Sequence, residues 1–426
     1  MLNNLRVKIY NLLRWSEQYT KTDMVYLTKG GFWVMLGQII SSLSSFLLAI
    51  AFANLLPKEA YGTYKYILSI AGILAIPTLS GINTSIVQAT ARGYEGSFLP
   101  ALKTKIRWGL LGGLASLALA GYYYFNNNFD LTIAFLIAAF FLPIMDPLGI
   151  YDSFLQGKKL FKISTKYWVF SQLIASLCLI TTLFFTKNLP FILLAYFTPW
   201  TLLRFIFLKI TLKKFPPNQQ KDDQTISYGK HLSLLSVLGS ITNYADRLLI
   251  FHYLGAAQVA VYSIAIAMPE QIKGVLKNIN TLAFPKFSQR KNNEIKGTLG
   301  HHLKIYILIL VLITLAYILL CPSIFKIFFP KYQESIIYSQ LYSVTISAIA
   351  IATLLLTLLT AQKTTKILYQ INIYSFFLQI TLLFIGVYFF GLMGVIVSRI
   401  IGRFLGLLLI QFLTNREKNN RFSVFV

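Results

Sequence analysis

VAVYSIAIAMPEQIKGVLKNIN, residues 259–280, is apolar and long enough to cross a membrane, yet it contains several charged residues. In a helix, Glu270, Lys273 and Lys277 fall on one face, with Asn280 one turn further on. A charge facing lipid near the bilayer centre costs roughly 2.5–3.5 kcal/mol. We therefore expect this face to point toward other helices or water. The remainder of the chain must then provide a membrane-embedded interior.

The composition indicates an integral membrane protein. Hydrophobic residues make up 56% of the chain, charged residues only 12%, and the mean hydropathy is +0.63. A soluble domain carries about twice that share of charged residues. Cys178 and Cys321, the only two cysteines, lie in or beside apolar segments, so we expect neither a disulfide framework nor a metal site.

Apolar runs predict twelve membrane-spanning helices, because each reaches the ~20 residues that a span needs. A polar segment at 211–229, which contains Pro216-Pro217, separates two groups of six and predicts an N-lobe at 30–210 and a C-lobe at 230–413. We expect an amphipathic lead-in at 1–29 and a polar tail at 414–426. The predicted spans are 30–57, 66–91, 108–128, 130–151, 165–186, 189–210, 231–253, 259–282, 303–325, 335–360, 366–388 and 391–413.

The basic residues predict the orientation. With both termini in the cytoplasm, the inner loops and termini collect most of the 39 Lys and Arg residues, including Lys103, Lys105 and Arg107. This bias follows the positive-inside rule, and it explains the net charge of +25 without nucleic acid as a partner. The predicted outer loops contain only Lys58, Lys187, Lys326 and Lys331.

Charged residues within the predicted spans are mostly basic, which indicates a cationic interior. Such an interior suits a substrate with phosphate or pyrophosphate, because ammonium and guanidinium groups bind these oxygens strongly at low dielectric. An acid within it is a candidate for binding a proton or sodium ion. The basic residues are Lys65, Arg204, Arg247, Lys273, Lys277, Arg399 and Arg403, and the acids are Asp146, Asp246 and Glu270.

Structural roles remain open for several of these groups. Asp246 and Arg247 could form an ion pair between the lobes, and Glu270 could neutralise Lys273 at i, i+3 spacing. Lys65 could extend to the membrane surface, and Asp146 could form only a local cap or pair.

The sequence contains no pattern that predicts catalysis. The four histidines are scattered, and no GxxxxGK[ST] phosphate-binding loop occurs, so we expect neither an enzyme nor a cofactor.

Several segments resemble the polysaccharide transporter family. These are ANLLPKEAYGTYKYILSIAG at the start of Ala53–Gly93, Asp246-Arg247-Leu248-Leu249 with Tyr253-Leu254-Gly255, Phe329-Pro330-Lys331-Tyr332, and Gly391-Leu392-Met393-Gly394. That family includes the O-antigen flippases and belongs to the multidrug/oligosaccharidyl-lipid/polysaccharide exporter superfamily. The resemblance implies an all-α, MATE-like fold in which two six-helix lobes enclose a central cavity that opens alternately to each side.

The resemblance also implies a substrate and roles for particular residues. The substrate would be an undecaprenyl-pyrophosphate-linked oligosaccharide, moved from the cytoplasmic to the periplasmic leaflet of a bacterial inner membrane, with polysaccharide-assembly proteins as possible partners. Lys273, Lys277, Arg247, Arg399 and Arg403 are our candidates for holding the pyrophosphate. Asp246 and Glu270 are the candidates for coupling to a proton or sodium gradient.

Two alternatives are weighed against this function. A multidrug exporter of the same superfamily would need an acidic or aromatic cavity, which the excess of basic residues disfavours. A glycan polymerase or ligase would need a large outer loop with catalytic residues, and the predicted outer loops are short.

Overall fold

The computed structural model describes the backbone of residues 24–289, 292–361 and 365–418, and side chains within 31–276, 306–353, 355–356 and 367–414. All regular structure in this part of the chain is helical. The predicted lead-in at 1–29 and tail at 414–426 lie largely outside it. The helices are α1 Met24–Leu55, α2 Lys58–Leu74, α3 Gly81–Ala91, α4 Phe98–Phe125, α5 Phe129–Leu148, α6 Ile150–Gly157, α7 Phe161–Phe185, α8 Leu189–Lys214, α9 Gln224–Leu254, α10 Ala256–Gln289, α11 Asn292–Phe328, α12 Ser335–Ser343, α13 Thr345–Ala361 and α14 Thr365–Lys418.

The helix predicted at 66–91 is broken into α2 and α3. A 3₁₀ turn at Ile76–Thr78 separates the two pieces, which are bent by 41°. Pro77 lies in this turn, and proline favours a kink or break in a helix because it lacks an N–H and its ring clashes with the preceding turn. The bend brings α3 against α9, so that Gly81 N donates a hydrogen bond to Ser233 Oγ at 3.0 Å.

Helix α14 is a hairpin of two antiparallel arms that meet at Gly391. The φ of Gly391 is 57° and its ψ is −139°, a conformation open almost only to glycine. The arms touch closely, since a Cβ on Gly394 would lie 1.9 Å from the Gly386 carbonyl oxygen. The break coincides with the predicted division between the last two spans.

The described residues confirm an all-helical membrane fold but not the number of spans. Eight helices in this part of the chain are long and apolar enough to cross a membrane, and α2 with α3 forms one further candidate. The apolar part of α14 covers 48 residues, about 72 Å of helix, which is long enough for each of its two arms to cross a membrane. Helices α4 and α9 overlap predicted spans but are not among these candidates. Twelve spans therefore stay a prediction.

The segment predicted as a linker at 211–229 is shorter in the structure. Helix α8 ends at Lys214 and α9 begins at Gln224, which leaves 215–223 between them. This remaining segment is tied to the loop between α3 and α4: Gly96 N donates to Gln220 O at 2.8 Å, and Asn218 Nδ2 donates to Gly93 O at 2.8 Å. The division into two lobes at this segment stays a prediction.

Helices before and after the linker pack tightly together. Helix α10 lies against α1 and α2, and α9 lies against α2 and α3. The rings of Tyr66 on α2 and Phe251 on α9 stack with their centroids 3.7 Å apart. Gly62 on α2 is buried against the first residue of α10, and a Cβ there would lie 1.7 Å from the Ala256 carbonyl oxygen.

The close approach at Gly62 leads to a first prediction. Gly62→Ala should destabilise the protein by about 1–3 kcal/mol, because backbone atoms of α2 and α10 must separate to admit the methyl group. The thermal midpoint of the purified protein should fall by several degrees. Gly239→Ala is the matched control, since a Cβ at this helical glycine meets no atom within 4 Å. Equal midpoints for the two variants would contradict the packing argument.

Candidate functional site

The innermost charged pair joins Asp246 on α9 to Arg399 on the second arm of α14. Arg399 Nη2 donates to Asp246 Oδ2 at 2.7 Å, and the two side chains are only 3% and 5% exposed. Tyr262 OH donates to the same carboxylate oxygen at 2.5 Å, and Arg399 Nη2 also donates to the Thr242 carbonyl at 2.7 Å. With these hydrogen bonds, both buried charges are compensated.

A second pair lies on α10. Lys273 Nζ donates to both carboxylate oxygens of Glu270, at 2.8 and 3.0 Å, and Tyr342 OH on α12 donates to Glu270 Oε1 at 2.7 Å. The side chains are 26% and 34% exposed, so this pair is more accessible than the first. Greater access allows a ligand to compete for these groups.

Three cations near these pairs make no hydrogen bond or ion pair with an acid among the described side chains. These are Lys65, Arg247 and Arg403, all of them partly buried. Within the part of the chain that the structure describes, the buried Nε of Arg247 has no hydrogen-bond partner, although the backbone N–H of Arg247 donates to Asp246 Oδ1 at 2.8 Å. A buried guanidinium with open donors favours an anion.

These groups form a continuous charged row. Each lies near enough to interact electrostatically with the next, in the order Lys65, Arg247, Asp246, Arg399, Arg403, Glu270 and Lys273. The row passes from α2 across α9 and α14 to α10. Its five cations outnumber its two acids, so it remains net positive.

The structure resolves the pairing alternatives that the sequence leaves open. Asp246 forms its side-chain ion pair with Arg399 and not with Arg247, whereas Glu270 does pair with Lys273. Two of the five candidate substrate-binding residues are thus paired with the two candidate coupling acids. Arg247 and Arg403 are near the pairs without being neutralised by them. The side chain of Lys277 lies outside the described residues.

A further ion pair forms among the helices before the linker, and its basic member, Lys105, is not among the basic residues that the sequence places within spans. Lys105 was predicted to lie in an inner loop, but it is fully buried on α4, where its Nζ donates to Asp146 Oδ2 at 3.1 Å and to Asn83 Oδ1 at 3.0 Å. A sequence signal was present: Lys105 falls within the small-residue stripe Ala101, Gly109, Gly112, Ser116 and Ala120. Such stripes mark close helix contacts.

Asp146 and Arg204 border a small polar cavity among these helices. The cavity has a volume of about 160 Å³, and the rings of Trp168 and Trp200 lie on its wall. Arg204 Nη1 donates to the Met145 carbonyl at 2.7 Å, and its guanidinium lies over the Trp200 ring at 5.2 Å. Asp146 and Arg204 therefore do not join the charged row.

Solved structures with this fold are transporters and a flippase. "Lipid II flippase MurJ, inward closed conformation" aligns with a TM-score of 0.68 and 14% identity over 89% of this chain and 87% of that one. "Crystal structure of MATE in complex with MaD5" aligns with a TM-score of 0.65 and 14% identity, covering 93% and 97%. "Crystal structure of eukaryotic MATE transporter AtDTX14" aligns at 0.61 and 11%, covering 94% and 99%. The fold is therefore MATE-like, as the resemblance implied.

The sequence comparison defines the family. The sequence model of the family described as "Polysaccharide biosynthesis protein" matches residues 27–291, more than half of the chain. No curated protein sequence matches this chain. The chain is thus a multi-pass helical membrane protein with the MATE-like fold, and it belongs to the polysaccharide biosynthesis protein family. This confirms the resemblance found in the sequence.

Proposed function

We propose that the protein is a flippase for lipid-linked oligosaccharides. The substrate is an oligosaccharide on undecaprenyl pyrophosphate, and transport runs from the cytoplasmic to the periplasmic leaflet of a bacterial inner membrane. The observation that carries the proposal is the net-positive charged row within a polysaccharide biosynthesis protein. Its partly buried cations match the pyrophosphate, which is the part of such a substrate that crosses a bilayer least readily.

The charged row divides into two kinds of group. Arg247 and Arg403 have no acid partner among the residues whose side chains are described, and we assign them the first contact with the pyrophosphate. Arg399 is held by Asp246, Thr242 and Gln379, so it positions the row and supplies a fixed positive field. Lys277, which lies one helical turn from Lys273, remains a proposed contact to the pyrophosphate.

The accessible pair on α10 suggests how transport is coupled to a proton. When the pyrophosphate draws Lys273 away, Glu270 loses its main cation, and its proton affinity rises. Glu270 then takes up a proton, and it releases the proton when the anion leaves and the pair re-forms. Asp246 is the weaker candidate because it is nearly inaccessible and holds Arg399. A sodium ion at Glu270 is the alternative coupling ion.

Multidrug export is the second candidate function. The two MATE transporters compared above are 14% and 11% identical to this chain, and a likeness at that level supports a shared fold only. A net-positive row repels the organic cations that such a cavity would have to hold. A polymerase or ligase finds no support in the helices and charges described here.

The deciding experiment is complementation of a bacterial strain that lacks its own flippase for surface polysaccharide. Wild type should restore glycan export, whereas Arg247→Ala and Arg403→Ala should each reduce it at least about tenfold, since each removes a charge-assisted contact to the pyrophosphate. Export is measured by surface glycan labelling and normalised to the amount of folded protein in the membrane.

Matched controls separate charge from packing. Arg403→Lys keeps the charge and should retain part of the activity, while Lys166→Ala removes an exposed charge outside the row and should leave export unchanged. Full export by Arg247→Ala and Arg403→Ala together would contradict the site. Wild-type protein that fails to export glycan but confers resistance to cationic drugs would instead establish the second candidate.

A further inference from the structure

A large pocket opens between the first turns of α4 and the linker, away from the charged row. Its volume is about 660 Å³, and its wall includes Lys103 and Arg107 on α4 and Lys221 on the linker. The amide side chains of Asn218 and Gln219 add further hydrogen-bond donors. Leu99 and Pro100 supply an apolar floor. The pocket thus combines three cations and two amides with apolar surface.

The three cations of the pocket have no acid to neutralise them among the described residues. No Asp or Glu belongs to the pocket wall. Two acids of the adjoining loop and linker are engaged elsewhere, since Glu95 pairs with Lys158 at 2.5 Å and Asp222 pairs with Arg92 at 2.9 Å. A third, Asp223, is exposed and does not belong to the pocket wall. The pocket is therefore a concave positive surface, and it favours a ligand with at least one negative charge.

Hydrogen bonds hold the linker wall of the pocket in place. Besides the bonds from Gly96 and Asn218, Asp222 N donates to Ser97 Oγ at 2.9 Å, which anchors the residue next to Lys221. The α4 wall belongs to a helix packed along its length against α5. The backbone positions of all three basic residues are thus held before a ligand arrives, which lowers the entropy lost on binding.

An apolar stripe continues from the pocket along the same face of α4. Lys103 and Arg107 are one turn apart, and Leu110, Leu111 and Leu114 follow at helical spacing. These three leucines are at least half exposed. Leu114 lies about 10 Å along the helix axis from Arg107. A ligand with its charge in the pocket therefore has an apolar surface beside it for a hydrocarbon chain.

We propose that this pocket binds the phosphate-bearing headgroup of an anionic lipid, with the acyl chains along Leu110, Leu111 and Leu114. The lipid comes from the leaflet on the side of the basic loops. Basic pockets beside membrane helices bind anionic headgroups by this combination of charge and apolar contact. The site is separate from the charged row, and it does not depend on the flippase function.

Lipid binding to the full-length protein in detergent tests the proposal. Native mass spectrometry measures the affinity for phosphatidylglycerol, for zwitterionic phosphatidylcholine and for glycerophosphoglycerol, which is the same headgroup without acyl chains. The combined variant Lys103→Ala, Arg107→Ala and Lys221→Ala should bind phosphatidylglycerol about a hundredfold more weakly than wild type, as expected when ~1 kcal/mol is lost for each of the three basic residues near an anionic lipid. The thermal midpoint should stay unchanged, since the three side chains are exposed.

A control with equal charge loss is Lys166→Ala, Lys213→Ala and Lys214→Ala, which removes exposed cations outside the pocket and should change the affinity less than twofold. Equal weakening by both triple variants would show that lipid affinity depends on the overall positive charge and not on the pocket, which would overturn the proposal. Equal wild-type affinity for phosphatidylcholine would overturn it too. Binding of glycerophosphoglycerol as tight as that of the lipid would show a site for a free phosphodiester instead.

Discussion

Arg399→Ala is expected to destabilise the protein by about 3–5 kcal/mol, because it leaves the Asp246 carboxylate buried without its cation. The pair spans α9 and α14, and its side chains are 3% and 5% exposed, so water cannot take over the role of the guanidinium. The Tyr262 hydroxyl and the Arg247 backbone N–H still donate to the carboxylate, but two neutral donors do not compensate a buried charge. The measurement is the thermal midpoint of the purified protein, together with its abundance in the membrane.

A double variant distinguishes loss of pairing from loss of packing. Asp246→Asn with Arg399→Gln removes both charges and should recover much of the stability that Arg399→Ala loses, since no unpaired ion remains. Arg403→Ala is the matched single control: it lies one turn further along the same arm, and it has no acid partner among the described side chains. The free energy of unfolding of Arg403→Ala should differ from that of wild type by less than about 1 kcal/mol. A drop equal to that of Arg399→Ala would contradict the assignment of Arg399 as the paired residue.

Lys105→Ala should also destabilise the protein strongly, by about 2–4 kcal/mol. Lys105 is completely buried. Its removal leaves Asp146 with the hydrogen bond from Thr78, and it removes the hydrogen bond that Asn83 Oδ1 accepts from Lys105. The cost is lower than at Arg399 because the Asp146 side chain is 35% exposed and can reach water in the adjoining cavity. Thermal unfolding of the purified variant measures the effect.

Lys103→Ala provides the comparison for Lys105, since the same residue type lies two positions earlier on the same helix. Its side chain is exposed, so its removal should leave the midpoint nearly unchanged. Combining Lys105→Met with Asp146→Asn should restore stability, because both charges disappear and the methionine fills the space. If Lys103→Ala and Lys105→Ala behave alike, Lys105 does not occupy the buried position described above.

The sequence predicted which residues of the C-terminal half carry the charges, but not how those charges pair. Spacing along α10 indicated that Glu270 and Lys273 share a face, and they do form a pair three residues apart. The same reasoning allowed Asp246 to pair with its neighbour Arg247, whereas its partner is Arg399, 153 residues away. The predicted loop position of Lys105 was wrong. It rested on the rule that basic residues in a membrane protein usually lie in loops, whereas Lys105 is buried on α4 against Asp146.

By itself, the sequence determined that this is a helical membrane protein, where its apolar segments lie, and where glycine divides the last two of them. These properties follow from composition, local periodicity and turn chemistry, and each of these depends on residues that are close together in the sequence. Only the tertiary structure decided that Arg399 and Lys105 each form an ion pair with an aspartate, and that Lys103, Arg107 and Lys221 share one pocket. It also left Arg247 and Arg403 without an acid partner among the described side chains. Desolvation and Coulomb attraction depend on distance in space, and the packing of helices far apart in the chain sets that distance.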